Sequence, residues 1–223
     1  MLDAFAAIGS RRSVRGFLDT PVPEADIRRI LTVASRAPSA TNTQPWHVHV
    51  LTGAARQALS DEILAAHDRH ETVAPEYQYY PLAWRSPYLD RRRKVGFDLY
   101  GHMQIARGDK AAMHAAHARN FSFFGAPVGM IFTIDRDMGL GAYLDLGMFM
   151  ENIMVAARAL GLDTCPQAAF ASHHAIIRRR LALPDEAVVM CGMSLGHADP
   201  AVPANALKTE REPVEQFATF VRE

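Results

Sequence analysis

The stretch PSATNTQPW, Pro38–Trp46, separates a predicted helix from a predicted strand. Residues 24–37 before it space their apolar side chains as a helix does, and residues 46–51 after it have the composition of a strand. Pro38 ends the helix because it lacks an N–H group and restricts the residue before it. The small hydroxyl and amide side chains ahead of Pro45 favour a loop that binds a polar ligand, although ordinary connections carry the same residue types.

A second polar cluster, RRSVR at Arg11–Arg15, follows a short amphipathic segment near the N-terminus. Arginine presents a planar set of N–H donors that matches phosphate. Three arginines and a hydroxyl within five residues therefore favour an anion-binding site, with a solvated basic turn as the alternative.

Together, Arg-Arg-Ser-Val-Arg at 11–15 and Pro-Ser-x-x-Asn-x-Gln-Pro-Trp at 38–46 resemble the FMN-dependent nitroreductase family. The resemblance covers nearly the whole chain, and Tyr-Tyr-Pro and Trp-Arg-Ser-Pro-Tyr within 79–88 look like its nitrobenzoate-reductase-like branch. It implies an α+β fold in one domain over 1–223. The implied architecture is a nitroreductase-like three-layer α/β/α arrangement around a central mixed sheet of four to five strands. It also implies a homodimer with two flavin sites at the interface.

Composition argues against several other classes of protein. The 223 residues carry a formal net charge of +0 without a long run of one sign, so nothing favours a nucleic-acid or membrane-surface partner. We expect no membrane span and no signal peptide, because the sequence has no long apolar run and no leader pattern. Cys165 and Cys191 are too few for a disulfide framework and suit a reducing cytoplasm.

Hydrophobic spacing and chain-breaking residues predict the other elements. The helix at 139–161 is apolar over most of its circumference, so we expect it to be buried in the core, with Gly161 as its C-cap. Strands at 127–134 and 187–195 are apolar on both faces and therefore central. The remaining predictions are helices at 2–10, 54–70, 90–107, 108–124 and 172–183, a strand at 162–168, and a final short helix that ends at Val221.

Residues 71–125 are predicted to form a helical and aromatic excursion. Prolines and aromatic residues crowd its first part, which argues against disorder. By resemblance, this region borders the substrate pocket. The aromatic residues of Tyr77–Tyr88 and Phe121–Phe124 are candidates for stacking on a flat substrate, with core packing as the alternative.

The resemblance also implies a set of FMN-binding residues. Arg11, Ser13 and Arg15 would take the phosphate and the pyrimidine edge, and Arg12 would make a further contact through its backbone. Near the C-terminus, Arg211 resembles the family's phosphate-binding arginine, and Lys208 would add a second cation.

Two loops complete the implied site. Asn42 matches an asparagine that reaches the flavin, and Pro38 and Ser39 match residues that reach over from the neighbouring subunit. The flavin edge would lie along Pro166, Gln167 and Ala168, where a backbone N–H stabilises negative charge on the reduced ring. Because some relatives carry glutamate at the position of Gln167, its neutral amide should lessen the negative charge beside the ring.

Histidine pairs offer an alternative metal site. They have the i, i+3 spacing of one helix face, or share one face of a strand, yet no neighbouring acid completes a motif such as His-Glu-x-x-His. We therefore expect solvated or packed histidines and no metal. The pairs are His67 with His70, His114 with His117, and His47 with His49.

Other catalytic chemistries have weaker support. Cys165 precedes a proline and has no evident base, and no Gly-x-Gly-x-x-Gly follows a strand. Asp145 and Glu151 could be active acids, but capping or surface pairing is favoured. We name no catalytic residue.

The function implied by the resemblance is a ping-pong FMN oxidoreductase. NADPH or NADH would reduce the flavin and leave, and a nitroaromatic compound would then be reduced in two-electron steps through nitroso to hydroxylamine. The alternatives are a flavoenzyme that reduces a quinone, free flavin or activated alkene, a flavin-binding protein without turnover, and a non-flavin protein in which the clusters are structural.

Overall fold

The computed structural model describes residues 2–71 and 73–222, in which helices form most of the connections between the strands. The helices are α1 (Ala4–Ser10), α2 (Glu24–Ala34), α3 (Gly53–Asp68), α4 (Tyr88–His102), α5 (Lys110–Ala118), α6 (Gly141–Ala159), α7 (His174–Arg180) and α8 (Val214–Phe217). The strands are β1 (His47–Thr52), β2 (Val128–Asp135), β3 (Asp163–Gln167) and β4 (Ala187–Gly196). None of the described helices is both long and apolar enough to cross a membrane.

The sheet has four strands in the order β1-β2-β4-β3. This agrees with the lower end of the predicted range. The expected mixture of parallel and antiparallel pairs is wrong, because each neighbouring pair of strands is antiparallel. The long helical connections can return the chain at either end of the sheet, so they do not impose parallel pairing. Parallel pairing among the described residues is an isolated bridge between Ser13 and Thr164.

Helices cover both faces of the sheet, which confirms the three-layer arrangement. On one face, Met130 and Phe132 of β2 join a core cluster with residues of α2 and α6. On the other face, Ile131 of the same strand joins a cluster with residues of α3 and α7. Because β2 is packed on both sides, it reads as a continuous apolar run instead of an alternating one.

Helix α6 is buried on one side only. It packs Leu146, Phe149 and Ile153 into the core, but Leu144 is 72% exposed and Leu140, four residues earlier, is also exposed. The predicted burial in the core is therefore confirmed for one side of the helix, and this apolar stripe lies outside the core of the chain. At its C-terminus, Gly161 adopts a left-handed φ of +80° and donates its N–H to the Arg158 carbonyl, as a glycine C-cap does.

The predicted helix at 108–124 ends early. Its last turn is a 3₁₀ segment, Arg119–Gly125, in which Phe123 and Phe124 have positive φ values of 52° and 54°. This backbone buries Phe121, Phe123 and Phe124 in the core, and the Phe123 ring stacks on Phe170 at 4.5 Å. Tertiary burial overrides the local helical pattern, so these phenylalanines are core residues and not a substrate-stacking surface.

A β-bulge anchors the aromatic segment, residues 73–88, which follows α3. Phe132 pairs with Cys191 and Thr133 with Val189, so Met190 is left as an extra residue in β4. The Tyr77 hydroxyl donates to the Met190 carbonyl, and the Val189 N–H donates to Glu76 Oε2 at 3.0 Å. Two adjacent residues of the aromatic segment thus satisfy backbone groups at the bulge.

Glu76 is buried and well compensated. Its carboxylate lies 2.8 Å from an Arg136 nitrogen and 2.9 Å from an Arg178 nitrogen. Burial alone would raise the pKa of Glu76, but the Val189 N–H and the nearby cations lower it below its ordinary value. Glu76 therefore stays ionised and fixes the start of the segment.

Replacing Tyr77 with phenylalanine should loosen this anchor. The change removes one hydrogen bond, leaves the Met190 carbonyl without its partner and costs about 1 kcal/mol. Hydrogen exchange of residues 73–88 should then speed up while that of α6 stays constant. Tyr80→Phe is the matched control, since the Tyr80 ring is largely exposed. Unchanged exchange in Tyr77→Phe would contradict the anchoring role.

Candidate active site

A cationic cleft opens between the end of α1, the middle of α6 and the C-terminal segment. Its volume is about 680 Å³, within the range typical of small-molecule sites. Glu151 and Asp163 contribute carboxylates to its wall. Its cationic side chains come from both ends of the chain and from α6, namely Arg11, Arg12, Arg158, Lys208 and Arg211.

Positive charge in the cationic cleft is only partly balanced. Glu151 lies 3.7 Å from Arg11, and Asp163 lies 3.2 Å from Arg158. Among residues 2–71 and 73–222, the other three cations, Arg12, Lys208 and Arg211, have no carboxylate within 4.0 Å. The cleft therefore has the charge and donor set to hold a phosphate group.

The N-terminal arginines are held against β3. Helix α1 ends at Ser10 with Arg11 as its C-cap, and the chain continues in extended form until the Val14 N–H donates to the Thr164 carbonyl at 3.0 Å. The fully buried Val14 side chain secures this contact. As a result, Ser13 lies beside β3, the strand that contains Pro166. The predicted arginine cluster and the predicted Pro166–Ala168 loop are therefore neighbours in the fold.

Arg15 lines a different and smaller cavity, of about 110 Å³, together with Tyr100, His117 and Asn120. Its guanidinium donates to the Ser13 carbonyl at 3.3 Å. The predicted arginines are thus divided between two cavities, with Arg11 and Arg12 in the cationic cleft and Arg15 in the smaller cavity. This arrangement can serve a ligand with an anionic end and a second polar end.

Cys165 lies beneath this segment and is chemically quiet. Burial raises its thiol pKa to about 11, although Arg15 and a hydrogen bond from Ser13 work in the opposite direction. A thiol with such a pKa stays protonated near neutral pH, and a protonated thiol is a poor nucleophile. The geometry therefore does not support a cysteine hydrolase.

The Gln167 side chain is turned into the protein. It is 2% exposed, its Nε2 donates to the Asn120 carbonyl at 2.7 Å, and its Oε1 accepts from the Ser194 hydroxyl at 2.7 Å. The expectation that this amide directly sets the charge beside a flavin is corrected. A contact from Gln167 to such a ligand would involve its backbone, while Pro166 and Ala168 remain partly exposed.

The polar loop at Pro38–Trp46 is built on α6. The buried Asp145 carboxylate accepts the Ala40 N–H at 3.2 Å, so this acid anchors the loop instead of capping or pairing at the surface. Trp46 stacks on Phe149 at 4.6 Å. Asn42 is exposed and has a left-handed φ of 61°, and Pro38 is exposed as well.

Ser39 has an internal role in this loop, because its hydroxyl accepts the Gln44 N–H at 3.0 Å. Among the described residues, the loop shares no hydrogen bond or ion pair with the side chains of the cationic cleft. Within one chain, the predicted site residues of the N-terminal segment, β3 and the C-terminal segment therefore lie close together. Pro38, Ser39 and Asn42 lie apart from them.

A family model described as the nitroreductase family matches residues 8–197. The chain belongs to the nitroreductase family. The match includes the N-terminal arginines, the polar loop and all four strands, but it ends before Lys208 and Arg211.

Individual relatives match over nearly their full length. A 4-nitrobenzoate reductase of Nocardioides sp. (strain LMS-CY) is 41% identical over 224 residues, covering 99% of this chain and 91% of the relative. A chloronitrobenzene nitroreductase of Comamonas testosteroni is 42% identical, covering 97% of this chain and 96% of the relative. The crystal structure of an FMN- and NADPH-dependent nitroreductase from sphigopyxis sp. strain HMH superposes with a TM-score of 0.95 at 37% identity, covering 100% of both chains.

Sequence reasoning missed Asn205, which lies beside the cationic cleft of this family member. Its side chain bonds the backbone of Arg15 and Gly16, and its carbonyl accepts from Arg12. A single asparagine in an irregular segment gives no sequence signal, because its importance comes from partners about 190 residues earlier in the chain.

The histidines of α3 and α5 pack together on the far side of the Arg15 cavity. The histidine cluster consists of His67, His114, His117 and His173. The His67 and His114 rings stack at 4.2 Å with 5° between their planes, a geometry that does not converge on an ion. Within the described residues, no group of three or more potential ligands is arranged to hold a metal.

Proposed function

We propose that this chain is an FMN-dependent NAD(P)H oxidoreductase that reduces nitroaromatic compounds by two-electron steps. The observation that carries the proposal is the cationic cleft, where N-terminal arginines meet Lys208 and Arg211 with unbalanced positive charge. The relatives named as nitrobenzoate and chloronitrobenzene reductases support the acceptor, and the FMN- and NADPH-dependent structure supports the cofactor and the donor.

The residues present fit the chemistry of FMN. Arg11, Arg12, Lys208 and Arg211 offer cations to a doubly charged phosphate, and Ser13 offers a hydroxyl. Arg15 and the backbone of Pro166, Gln167 and Ala168 would serve the flavin edge. When bound, FMN would supply hydride acceptance and two-electron transfer, and the chain's own part would be to bind and orient it.

We also propose that the chain forms one domain in which residues 71–125 border the substrate pocket. Tyr79, Tyr80 and Tyr88 support this, because each leaves about half of its side chain exposed and free to face a flat aromatic ring. With the phenylalanines at 121–124 buried, these tyrosines are the most exposed stacking candidates of the Tyr77–Tyr88 stretch, which also contains the half-buried Trp84.

A homodimer is part of the proposal. Phe5 on α1 is 92% exposed, and Leu140, which precedes α6, and Leu144 on α6 add to a surface that a partner would cover. Pro38, Ser39 and Asn42 would then complete the site of the second subunit. Sedimentation should give twice the 24.6 kDa chain mass. Two free, buried cysteines and the nicotinamide donor suit the cytoplasm, which we propose as the location.

Anaerobic mixing tests the function. Adding one equivalent of NADPH or NADH to the FMN-loaded protein should bleach the yellow absorbance, and a nitroaromatic compound should restore it with formation of the nitroso compound. A second equivalent of the nicotinamide donor should carry the nitroso compound to the hydroxylamine. A flavin that stays oxidised would support binding without turnover. Restoration by a quinone, free flavin or activated alkene, but not by the nitroaromatic, would favour another acceptor.

A further inference from the structure

Asn205 joins the two ends of the chain at the cationic cleft. It lies in the 3₁₀ turn Pro203–Ala206, is 5% exposed, and is flanked by the buried Ala204 and by Leu207, which is also buried. Lys208 follows three residues later. The turn is thus a rigid, buried point from which the exposed cationic tail begins.

The Asn205 amide uses both ends of its side chain. Oδ1 accepts the Arg15 N–H at 2.7 Å, and Nδ2 donates to the Gly16 carbonyl and the Asp199 carbonyl, each at 2.8 Å. The partners fix the orientation of the amide, because an N–H can only donate and a carbonyl can only accept. These bonds hold the amide in one orientation between two segments.

The backbone of Asn205 makes a fourth connection, since its carbonyl accepts from the Arg12 guanidinium at 2.7 Å. Gly16 permits this close approach, because a Cβ at that position would lie 2.5 Å from the Val202 side chain. Packing and hydrogen bonding therefore fix the position of residues 12–16 relative to residues 202–205.

We propose that Asn205 is a positioning residue for the flavin phosphate, which it serves by setting the spacing between the N-terminal arginines and Lys208. This inference rests on the proposed function, because it takes the anion in the cationic cleft to be the FMN phosphate. Asn205 itself contacts neither the phosphate nor the reacting atoms. Its effect is that two cationic segments, far apart in sequence, close on one anion without reorganising.

The test compares FMN with riboflavin, which lacks only the phosphate. Flavin fluorescence gives both dissociation constants for the wild type and for Asn205→Ala, with folding checked by circular dichroism. We expect the FMN constant to rise at least about tenfold and the riboflavin constant by less than about threefold. Asn152→Ala is the matched control, because Asn152 bonds the Ala34 carbonyl on α2 and should leave both constants unchanged.

Equal weakening of FMN and riboflavin would overturn the proposal, since it would indicate general structural damage, and so would an unchanged FMN constant. If Asn205→Ala does not fold, hydrogen exchange of the wild type decides. FMN should protect residues 12–17 and 200–207 together, whereas riboflavin, which shares only the ring contact of Arg15, should leave residues 200–207 unprotected; equal protection of residues 200–207 by the two ligands would contradict the proposal. A wild type that binds no FMN at all would instead defeat the proposed function.

Discussion

Arg211→Ala should release FMN from a folded protein while leaving the weaker binding of riboflavin intact. Arg211 lines the cationic cleft without a carboxylate partner, and its guanidinium bonds only Thr209 and the Glu210 carbonyl among the described residues. Loss of a charge-assisted hydrogen bond costs about 1.5–3 kcal/mol, which corresponds to a roughly 10- to 150-fold weaker complex. Equilibrium titration with both flavins measures the effect.

Arg15→Ala should behave differently, because Arg15 lies in the smaller cavity beside Asn120. There it would serve the polar edge of the ring, which FMN and riboflavin share, so both should weaken. Arg28→Ala is the matched control for both variants, since Arg28 lies on the exposed face of α2 and pairs with Glu24. Full flavin retention in both Arg211→Ala and Arg15→Ala would contradict the assignment.

His173→Gln should remove part of an acid-induced loss of stability. His173 is 6% exposed, and burial, with added repulsion from His67 and His117, lowers its pKa from 6.5 to about 4, although Glu71 acts in the opposite direction. Between these pH values His173 is protonated in the unfolded chain but not in the folded chain. The free energy of unfolding is therefore unaffected by protonation of His173 above pH 6.5, and it falls as the pH drops towards 4.

Urea unfolding at pH 7.5 and pH 5 measures this effect. Protonation of the unfolded state should cost the wild type about 2 kcal/mol more than the variant between these pH values. His102→Gln provides the comparison, because His102 is exposed in the last turn of α4. Equal pH dependence in wild type and His173→Gln would show that this histidine does not control acid stability.

Much of the fold was predictable because local patterns and tertiary packing agree. The strands at 128–135 and 187–196 are buried on both faces, as their apolar runs predict, and Gly161 caps α6 at the expected position. The Pro38 break, just after α2, was predicted for the same reason. In each case a residue type has one strong local preference, and the surrounding structure satisfies it.

The failures come from residues whose role depends on distant partners. The sequence pattern predicts a helix through Phe123, but burial of the Phe123 ring against Gly129 prevents it. The packing is so close that a Cβ at Gly129 would lie 2.5 Å from that ring. Asp145 looks like a surface acid on a helix, but the loop 105 residues earlier buries it. Likewise, nothing in the sequence of β4 predicts the bulge at Met190, whose carbonyl accepts the Tyr77 hydroxyl.

Within the candidate site, the residue types were predictable from the sequence. The distribution of the arginines between two cavities was not. The sequence places Arg11, Arg12 and Arg15 in one run, whereas the extended backbone around Val14 sends Arg15 into a separate cavity. Alternation of side chains along an extended chain does not predict this division, because Arg11 and Arg15 are four residues apart and would point the same way.

The visible absorption spectrum of the purified protein, followed by chromatography of the flavin released on boiling, tests whether the chain binds FMN. We expect a yellow protein that yields about one FMN per chain, because the cationic cleft is proposed to bind the FMN phosphate. A colourless protein that also fails to bind added FMN would contradict it, and would leave the cationic cleft without its proposed ligand.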